Sequence, residues 1–253
     1  MNKVVDKSKA ELHNRIKRSC GKAIGDFNLI EDGDRIAVAV SGGKDSWTML
    51  HVLEDLRQRA PVSFDVIAVN FDPGFPGYRS DLIADYLQRH DIPCHLEKTA
   101  SAAVIEEKLR PGSSYCAFCS RLRRGFLYSV AQRLGCNKVA LGHHLDDFIE
   151  TLLLNQFYAG KLAAMSPKML ADNGKQTVIR PLVYVEEALI SDYSGRCDFP
   201  IISCACPLAG EQEQLQQRQR MKRLITELSR EIPQIRHSLL SAMGNIHHRH
   251  LLG

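Results

Sequence analysis

Hydrophobic and polar positions follow two different rhythms along the chain. In the first 30 residues the apolar positions recur at helical spacing with basic residues between them, which predicts an amphipathic helix packed on the body of the protein. From residue 35 onward, short β-branched runs alternate with helical patterns. The runs predict strands over 35–40, 65–70, 94–97, 138–141 and 177–180, and the patterns predict helices over 47–59, 79–90, 120–134 and 146–157. This alternation predicts an α/β fold, a parallel twisted sheet with helices on both faces.

The pattern changes again near residue 208, where a stretch rich in Gln and Arg begins. Its apolar positions recur at helical spacing, at Met221, Leu224, Ile225 and Leu228. This spacing predicts a terminal helix that caps the sheet domain. We therefore expect three parts: an N-terminal amphipathic helix at 1–30, a sheet domain at 31–207 and a C-terminal helical segment at 208–253.

The composition is that of an ordinary globular protein, with 44% hydrophobic and 25% charged residues among 253. No apolar run approaches the roughly 20 residues that span a bilayer, and the first residues lack the apolar core of a signal peptide. We therefore expect a cytoplasmic protein without a membrane partner. The net charge of +4 does not by itself indicate nucleic-acid binding, but basic residues cluster near the start, at 121–124 and at 218–223.

The first predicted strand runs into the loop Ser41-Gly42-Gly43-Lys44-Asp45-Ser46, and a helical pattern follows at once. Paired glycines let the backbone turn tightly, and a helix that starts there points unpaired N–H groups at an anion on the loop. The loop is therefore predicted to bind phosphate. Its spacing matches neither the Gly-x-x-x-x-Gly-Lys-Ser/Thr loop nor the three-glycine dinucleotide fingerprint, and the plain alternative is an ordinary glycine turn.

Eight cysteines in a chain predicted to be cytoplasmic favour metal or sulfur chemistry over a disulfide framework. Cys116 and Cys119 form a Cys-x-x-Cys pair that is predicted to lie directly before a basic helix, where the thiolate form is favoured. Cys204 and Cys206 are candidates for further ligands. Four cysteines would suit a structural zinc site, three would leave an iron–sulfur cluster with one open iron, and two alone would also suit a redox disulfide. The other cysteines are interpreted as buried apolar residues, at Cys20, Cys94, Cys136 and Cys197.

A third motif, Gly142-His143-His144-Leu145-Asp146-Asp147, lies where a predicted strand ends and a helix begins. Ligands of parallel sheets bind at the carboxyl ends of the strands, so Ser41, Asn70 and Gly142 are expected to converge there. The carboxylates of the motif can hold a Mg²⁺ ion that bridges phosphates. The alternative is that they only occupy the first helical turn, where the helix macrodipole favours anions.

These motifs together carry a resemblance to a known family. The loop Ser41–Ser46 resembles the PP-loop of ATP pyrophosphatases. Joined to Cys116-Ala-Phe-Cys119-Ser-Arg-Leu-Arg-Arg124 and Gly142–Asp147, it resembles the tRNA 2-thiocytidine biosynthesis family over about residues 24–243. Shorter matches are Tyr158-Ala-Gly-Lys161, Ile179-Arg-Pro-Leu182 and Phe199-Pro-Ile-Ile202. The resemblance implies a PP-loop ATP-binding domain at 31–207 and an ATP- and Mg²⁺-dependent enzyme with a [4Fe–4S] cluster. Such an enzyme adenylates the C2 oxygen of cytidine 32 in a tRNA anticodon loop and replaces it by sulfur, with AMP and pyrophosphate as products.

The resemblance also implies roles for individual residues. The cluster ligands would be Cys116, Cys119 and Cys204. The chain reads Cys204-Ala-Cys206 where the family usually has a second Cys-x-x-Cys pair, so Cys206 stays open as a ligand. The expected catalytic residues are Lys44, Asp45 and Asp147. The expected ATP-binding residues are Ser41, Gly42, Gly43, Lys44, Asp45, Ser46, Asn70, Gly142 and His143.

The expected partners are a tRNA, a sulfide donor such as a cysteine desulfurase, and a second copy of the chain in a homodimer. RNA contacts are predicted at Arg121, Arg123 and Arg124, and candidates for base stacking are Phe75, Tyr78, Phe118 and Tyr158. Within the same chemistry, Cys116 or Cys204 could instead act as a persulfide nucleophile without a cluster.

Two other functions stay open. One is a PP-loop sulfurtransferase for another RNA base or a small molecule, which is favoured by Leu145 where the family typically has a basic residue. The other is a non-catalytic, metal-stabilised nucleotide-binding module.

Overall fold

The computed structural model describes residues 2–108, 115–202 and 213–250. Within these ranges the helices are α1 (Asn2–Phe27), α2 (Lys44–Arg57), α3 (Ser80–Arg89), α4 (Ser101–Lys108), α5 (Tyr115–Arg133), α6 (Leu145–Ala159), α7 (Glu187–Ser194), α8 (Glu213–Glu231) and α9 (Ile235–Gly244). The strands are β1 (Asp34–Ala39), β2 (Phe64–Asp72), β3 (Cys94–Lys98), β4 (Lys138–Ala140), β5 (Lys168–Leu170) and β6 (Thr177–Ile179). None of the described helices combines the length and the apolar character needed to cross a bilayer.

The strands form one six-stranded sheet in the order β3-β2-β1-β4-β6-β5. Every neighbouring pair is parallel except β5 and β6, which are antiparallel. The chain leaves β1 towards β2 and β3 on one side and later returns to β4 on the other side of β1. The order therefore switches direction between β1 and β4, and a ligand crevice is expected at the carboxyl ends of these two strands.

Alternate residues of the central strands pack into two different cores. Ile36 and Val38 of β1 lie in the larger core with side chains of α1, α2 and α7, whereas Ala37 packs against α5. A strand that is covered on both faces has no solvent side, which explains its continuous apolar run. The prediction of a sheet with helices on both faces is confirmed, and the division of the chain into three parts stays a prediction.

Several predicted boundaries are wrong. Helix α5 begins at Tyr115, so Cys116 and Cys119 stand in its first turn and do not precede it. Tyr115 packs with Phe75 and Ile105, and this tertiary contact fixes an earlier start than the basic run indicates. The C-terminal helix predicted from the spacing of Met221 to Leu228 is present as α8, whereas α9 and the short elements α4, α7 and β5 were not predicted.

The cysteines outside the predicted cluster differ in burial. Cys20 and Cys136 are buried, as predicted, and burial raises the pKa of both thiols. Cys197 is half-buried. The prediction for Cys94 is wrong, because it starts the edge strand β3 and is exposed.

Candidate active site at the carboxyl edge of the sheet

The loop between β1 and α2 is closed by its own hydrogen bonds. The Ser46 hydroxyl donates to the Gly43 carbonyl oxygen at 2.8 Å, and its oxygen accepts from the Ser41 backbone N–H at 3.2 Å. Gly43 is the extended N-cap of α2, so the first-turn N–H groups of α2 face this loop. The structure thus brings Ser41, Gly43 and Ser46 together at a helix N-terminus, an arrangement that favours an anion.

Gly42 lies against a distant segment of the chain. Its φ is +85°, and a Cβ on it would lie 3.0 Å from Ile202 Cβ. The Ile202 N–H also donates to the Gly42 carbonyl oxygen at 3.0 Å, and Trp47 Nε1 of α2 donates to the Pro200 carbonyl oxygen at 3.3 Å. Residues 199–202 are therefore held against the loop, and they lead in sequence towards Cys204, which lies outside the described residues.

The ends of the two neighbouring strands meet the same loop. A Cβ on Gly142, after β4, would lie 3.2 Å from Asp45 C and Ser46 N, so a larger residue here would have to push the loop backbone away by a few tenths of an ångström. Asn70 in β2 is buried, and its Nδ2 donates to the Val40 carbonyl oxygen at 2.7 Å. Asn70 Oδ1 is buried without a hydrogen-bond partner among the described residues. The predicted convergence at this edge is therefore present in the structure.

The two histidines of the loop before α6 have different surroundings. His143 Nδ1 accepts from Arg180 Nε at 3.1 Å, and burial, together with the positive charge of Arg180, lowers the pKa of His143 to about 4. His144 Nε2 lies 3.8 Å from Asp45 Oδ1 and 3.5 Å from Asp147 Oδ2. His144 Nδ1 is buried and has no hydrogen-bond partner in the part of the chain that the structure describes. His144, which the predicted ATP-binding set omitted, is thus the histidine between the two predicted catalytic carboxylates.

Lys44 of the loop belongs to a chain of ion pairs. Its Nζ lies 2.8 Å from Asp45 Oδ1 and 3.1 Å from Glu187 Oε1 of α7. Glu187 Oε2 lies 2.5 Å from Lys222 Nζ of α8. Although burial raises the pKa of Glu187, the hydrogen bonds from Lys222 and Lys44 outweigh it and lower this pKa to about 2. Glu187 is therefore an ionised bridge between the predicted phosphate loop and the C-terminal helix.

Asp147 is paired with a second cation from α8. Its Oδ1 accepts from Arg218 Nη1 at 3.0 Å, and its Oδ2 accepts from the His144 backbone N–H at 3.1 Å. The same Arg218 nitrogen lies 3.4 Å from Glu150 Oε2. Burial raises the pKa of Glu150 to about 7. Two carboxyl groups of α6 thus share one guanidinium.

Asp146 has a structural role instead. One carboxylate oxygen accepts from the Glu187 backbone N–H at 2.7 Å, and the other accepts from Arg236 Nε of α9 at 2.8 Å. These bonds connect α6 to α7 and α9. The first-turn alternative therefore describes Asp146 better than a metal-binding role.

Leu145 is fully buried, in a core formed with Ile149, Leu153 and Met221. Its side chain packs between α6 and α8 and does not face the loop. Packing thus explains why an apolar residue stands at position 145, where the family typically has a basic residue. Leu145 therefore no longer favours a different substrate.

Of the predicted cluster ligands, the structure describes the side chain of Cys119 alone. Cys119 is half-buried beside the small apolar cluster of Phe75, Ile105 and Tyr115. Cys116 stands three residues earlier in the same helical turn, and its side chain lies outside the described residues, as do Cys204 and Cys206. Within 2–108, 115–202 and 213–250, no three His, Cys, Asp or Glu side chains are grouped to hold a metal ion.

The predicted RNA-binding arginines are all exposed on α5, at Arg121, Arg123 and Arg124. Of the candidates for base stacking, Tyr158 is 46% exposed at the end of α6, whereas Phe75 is buried. Tyr78 and Phe118 are intermediate. Burial thus removes Phe75 from the candidates.

A model of the PP-loop domain matches residues 11–200. The tRNA-cytidine(32) 2-sulfurtransferase of Syntrophotalea carbinolica is 63% identical over 241 residues, which cover 95% of this chain and 92% of that protein. The chain belongs to the tRNA-cytidine(32) 2-sulfurtransferase family. The family member of Geobacter sulfurreducens is 59% identical over 95% of this chain and 93% of its own length. The predicted resemblance is confirmed.

A solved structure outside this family has a similar fold. It is the U34-tRNA thiolase NcsA from Methanococcus maripaludis with its [4Fe-4S] cluster, which matches with a TM-score of 0.76 at 21% identity. The match covers 97% of this chain and 81% of that chain. At this identity the match shows a shared fold with the sulfurtransferase family.

Proposed function

We propose that the chain is an ATP-dependent tRNA sulfurtransferase that replaces the C2 oxygen of cytidine 32 in an anticodon loop by sulfur. The family relationship supports the substrate and the product. The observation that carries the chemistry is the contact between Gly42 and Ile202, since it joins the predicted phosphate loop to the segment that leads to Cys204. Cys204 itself lies outside the described residues.

The residues at the carboxyl edge of the sheet fit a nucleoside triphosphate such as ATP. Gly42 lets the loop pack closely on Ile202, and Gly142 lets the end of β4 pack closely on Asp45 and Ser46, so the loop is held in place from two sides. The buried Asn70 Oδ1, which has no hydrogen-bond partner among the described residues, is available to a ligand. Ser41, Gly43 and Ser46 would hold the β- and γ-phosphates, and Lys44 would neutralise charge as pyrophosphate leaves.

The reaction balances without a redox step. The C2 oxygen of cytidine attacks the α-phosphorus of ATP, the bond from that phosphorus to pyrophosphate breaks, and the base carries AMP on its oxygen. Hydrosulfide then forms a bond to C2, the C2–O bond breaks with departure of AMP, and the proton of hydrosulfide passes to solvent. Adenylation is needed because the C2 oxygen is otherwise a very poor leaving group.

Mg²⁺ prefers carboxylate and phosphate oxygens, and Asp45 and Asp147 are the residues that would hold it beside the loop. When bound, it would neutralise the charge that develops on the departing pyrophosphate. His144, which lies within 3.8 Å of both carboxylates, would orient them.

We also propose Cys116, Cys119 and Cys204 as the ligands of a [4Fe–4S] cluster. Positions three residues apart in one helical turn lie on the same face, so the pair in α5 suits one shared cluster. The half-buried position of Cys119 beside apolar side chains would limit access of water to the thiolate. Three ligands would leave one iron open for an exogenous sulfide.

The remaining expectations complete this proposal. A sulfide donor such as a cysteine desulfurase would supply the sulfur, and the chain would act as a homodimer in the cytoplasm. The alternative with a persulfide on Cys116 or Cys204 differs from the cluster in one respect that can be measured, namely the requirement for iron.

The test is a reconstituted reaction. Anaerobically purified protein is supplied with ATP, Mg²⁺, sulfide and an unmodified tRNA transcript, and nucleosides are analysed by mass spectrometry. We expect 2-thiocytidine and AMP in equal amounts. Cys119→Ser should lose iron and product, whereas Cys94→Ser, which removes an exposed thiol from β3, should keep both. Thiolation by iron-free protein would refute the cluster, and a different thiolated base would refute the proposed substrate.

A further inference from the structure

Residues at the end of α6 and along one side of α8 line an open groove of about 980 Å³, which we call the α6–α8 groove. Two adjacent aromatic residues line it, Phe157 with 59% and Tyr158 with 46% of the surface exposed. Single exposed apolar side chains are ordinary on a protein surface, but neighbouring exposed rings in one groove indicate an interaction site.

The rings are presented by a rigid helix end. Gly160 caps α6 in the left-handed conformation, and the Asn155 carbonyl oxygen accepts from the N–H groups of Gly160 and Lys161. Asn155 Nδ2 donates to the Ala163 carbonyl oxygen at 2.8 Å. These bonds fix the chain directly after Tyr158, so the backbone that carries the rings needs little ordering when a ligand binds.

The charge of the groove favours a polyanion. Arg220 and Arg223 of α8 are exposed, line the groove and lie three residues apart on one helix face, whereas Glu227 is the single acidic residue among the described side chains that line it. The cores of interfaces between protein copies are depleted of charge and rich in apolar area. Aromatic rings beside arginines are instead typical of surfaces that bind single-stranded nucleic acid.

Helix α8 also carries residues of the candidate active site. Arg218 and Lys222 of this helix pair with Asp147 and Glu187. Arg220 lies two residues from each of them, so it points to the other side of α8. The groove and the candidate active site therefore share α8 but lie on different faces of it.

We propose that the α6–α8 groove binds unpaired nucleotides of the RNA substrate at a distance from the catalytic edge. Phe157 and Tyr158 are the stacking platforms, and Arg220 and Arg223 contact the phosphates. This assignment rests on the proposed function, because it takes RNA as the substrate. It adds a second surface for the RNA, outside the candidate active site, and the side chains that hold the RNA there.

The test compares equilibrium binding of an unmodified tRNA transcript to the full-length protein and its variants. Phe157→Ala/Tyr158→Ala should weaken binding at least tenfold, because each stacked base contributes about five- to 150-fold. The matched control, Leu170→Ala, removes a side chain that is 62% exposed on β5 and should leave the affinity unchanged. Arg220→Gln/Arg223→Gln should lower the slope of log affinity against log salt by about two. Affinity for a non-hydrolysable ATP analogue should be unchanged in all variants, which shows that they are folded.

Two results would overturn the assignment. Unchanged tRNA affinity and salt slope in both groove variants would place the RNA elsewhere. A shift from dimer to monomer in sedimentation velocity on Phe157→Ala/Tyr158→Ala would assign the groove to a second copy of the chain. If the wild-type protein itself fails to bind tRNA, the proposed function falls together with this inference, whereas binding that is equal in wild type and variants removes the inference alone.

Discussion

Gly42→Ala tests how tightly the candidate phosphate loop is built. The glycine has a φ of +85°, a region that costs an L residue about 1–2 kcal/mol. The new Cβ would also lie 3.0 Å from Ile202 Cβ, and the Ile202 N–H bond to the Gly42 carbonyl oxygen prevents the segment from moving away freely. Overpacking of this kind costs about 1–3 kcal/mol.

The structure offers a matched control in Gly33, which has a φ of +79° and nothing within 4 Å of an added Cβ. We therefore expect Gly33→Ala to lower the free energy of unfolding by about 1–2 kcal/mol, from the backbone conformation alone. Gly42→Ala should lower it by about 2–5 kcal/mol, since it adds the contact with Ile202. The difference between the two variants isolates that contact.

Urea unfolding of both variants measures these losses of stability. Calorimetric titration with a non-hydrolysable ATP analogue measures the nucleotide affinity of the loop. Gly42→Ala should also weaken nucleotide binding, because a displaced loop misaligns the backbone N–H groups that face the phosphates. Gly33→Ala, which lies at the opposite end of β1, should bind the analogue as the wild type does. Equal losses of stability in the two variants, with equal affinities, would refute the constraint that we infer from the Ile202 contact.

Three further predictions concern charge. The ion pairs lower the pKa of Glu187, so its contribution to stability is complete above its unfolded pKa of about 4.5 and is lost as pH falls towards 2. In urea unfolding, the stability difference between wild type and Glu187→Gln should therefore shrink from pH 5 to pH 3. A constant difference would contradict this. Burial raises the pKa of Glu150 to about 7, so this carboxyl group should destabilise the wild type increasingly as pH rises from 4.5 to 7. The stability of Glu150→Gln relative to the wild type should therefore be greater at pH 8 than at pH 5, by on the order of 2 kcal/mol. Parallel pH profiles of the two proteins would contradict this. Arg123→Ala/Arg124→Ala should lower the salt slope of tRNA binding by about two, whereas Arg89→Ala on α3 should not, and an unchanged slope would remove the pair from the interface.

The parts of the site that are contiguous in sequence were predictable. The β-branched run before Ser41, the paired glycines and the following helix determine the phosphate loop by local geometry alone. The alternation of strands and helices predicts a parallel sheet, which brings the strand ends at Ser41, Asn70 and Gly142 to one edge, whereas the order of the strands comes from the structure. These inferences need only periodicity and the rule for parallel sheets.

The parts that depend on tertiary packing were not predictable. Glu187 lies on a short helix without a clear periodic pattern, and nothing in its spacing pairs it with Lys44 and Lys222. The basic residues Arg218 and Lys222 were visible as a cluster, which suggested a solvated or RNA-binding face. Their carboxylate partners appear only when α8 packs on α6. Tertiary packing also determines which of His143 and His144 lies between Asp45 and Asp147. The sequence could not show this, because the two adjacent histidines have different surroundings.

The ion pairs at this edge also bear on how a metal could enter it. Asp147 Oδ1 faces Arg218 and Oδ2 accepts from the His144 N–H, so both oxygens have partners from the chain itself. A Mg²⁺ ion alone would have to separate a partly buried pair and leave Arg218 beside Glu150 only. Mg²⁺ that arrives on ATP brings phosphate oxygens as ligands, and the displaced guanidinium then faces a polyanion. If Asp147 holds Mg²⁺ when ATP is bound, the Arg218 contact that joins α8 to α6 would have to be exchanged, so binding at this carboxylate would be coupled to the packing of the C-terminal helix.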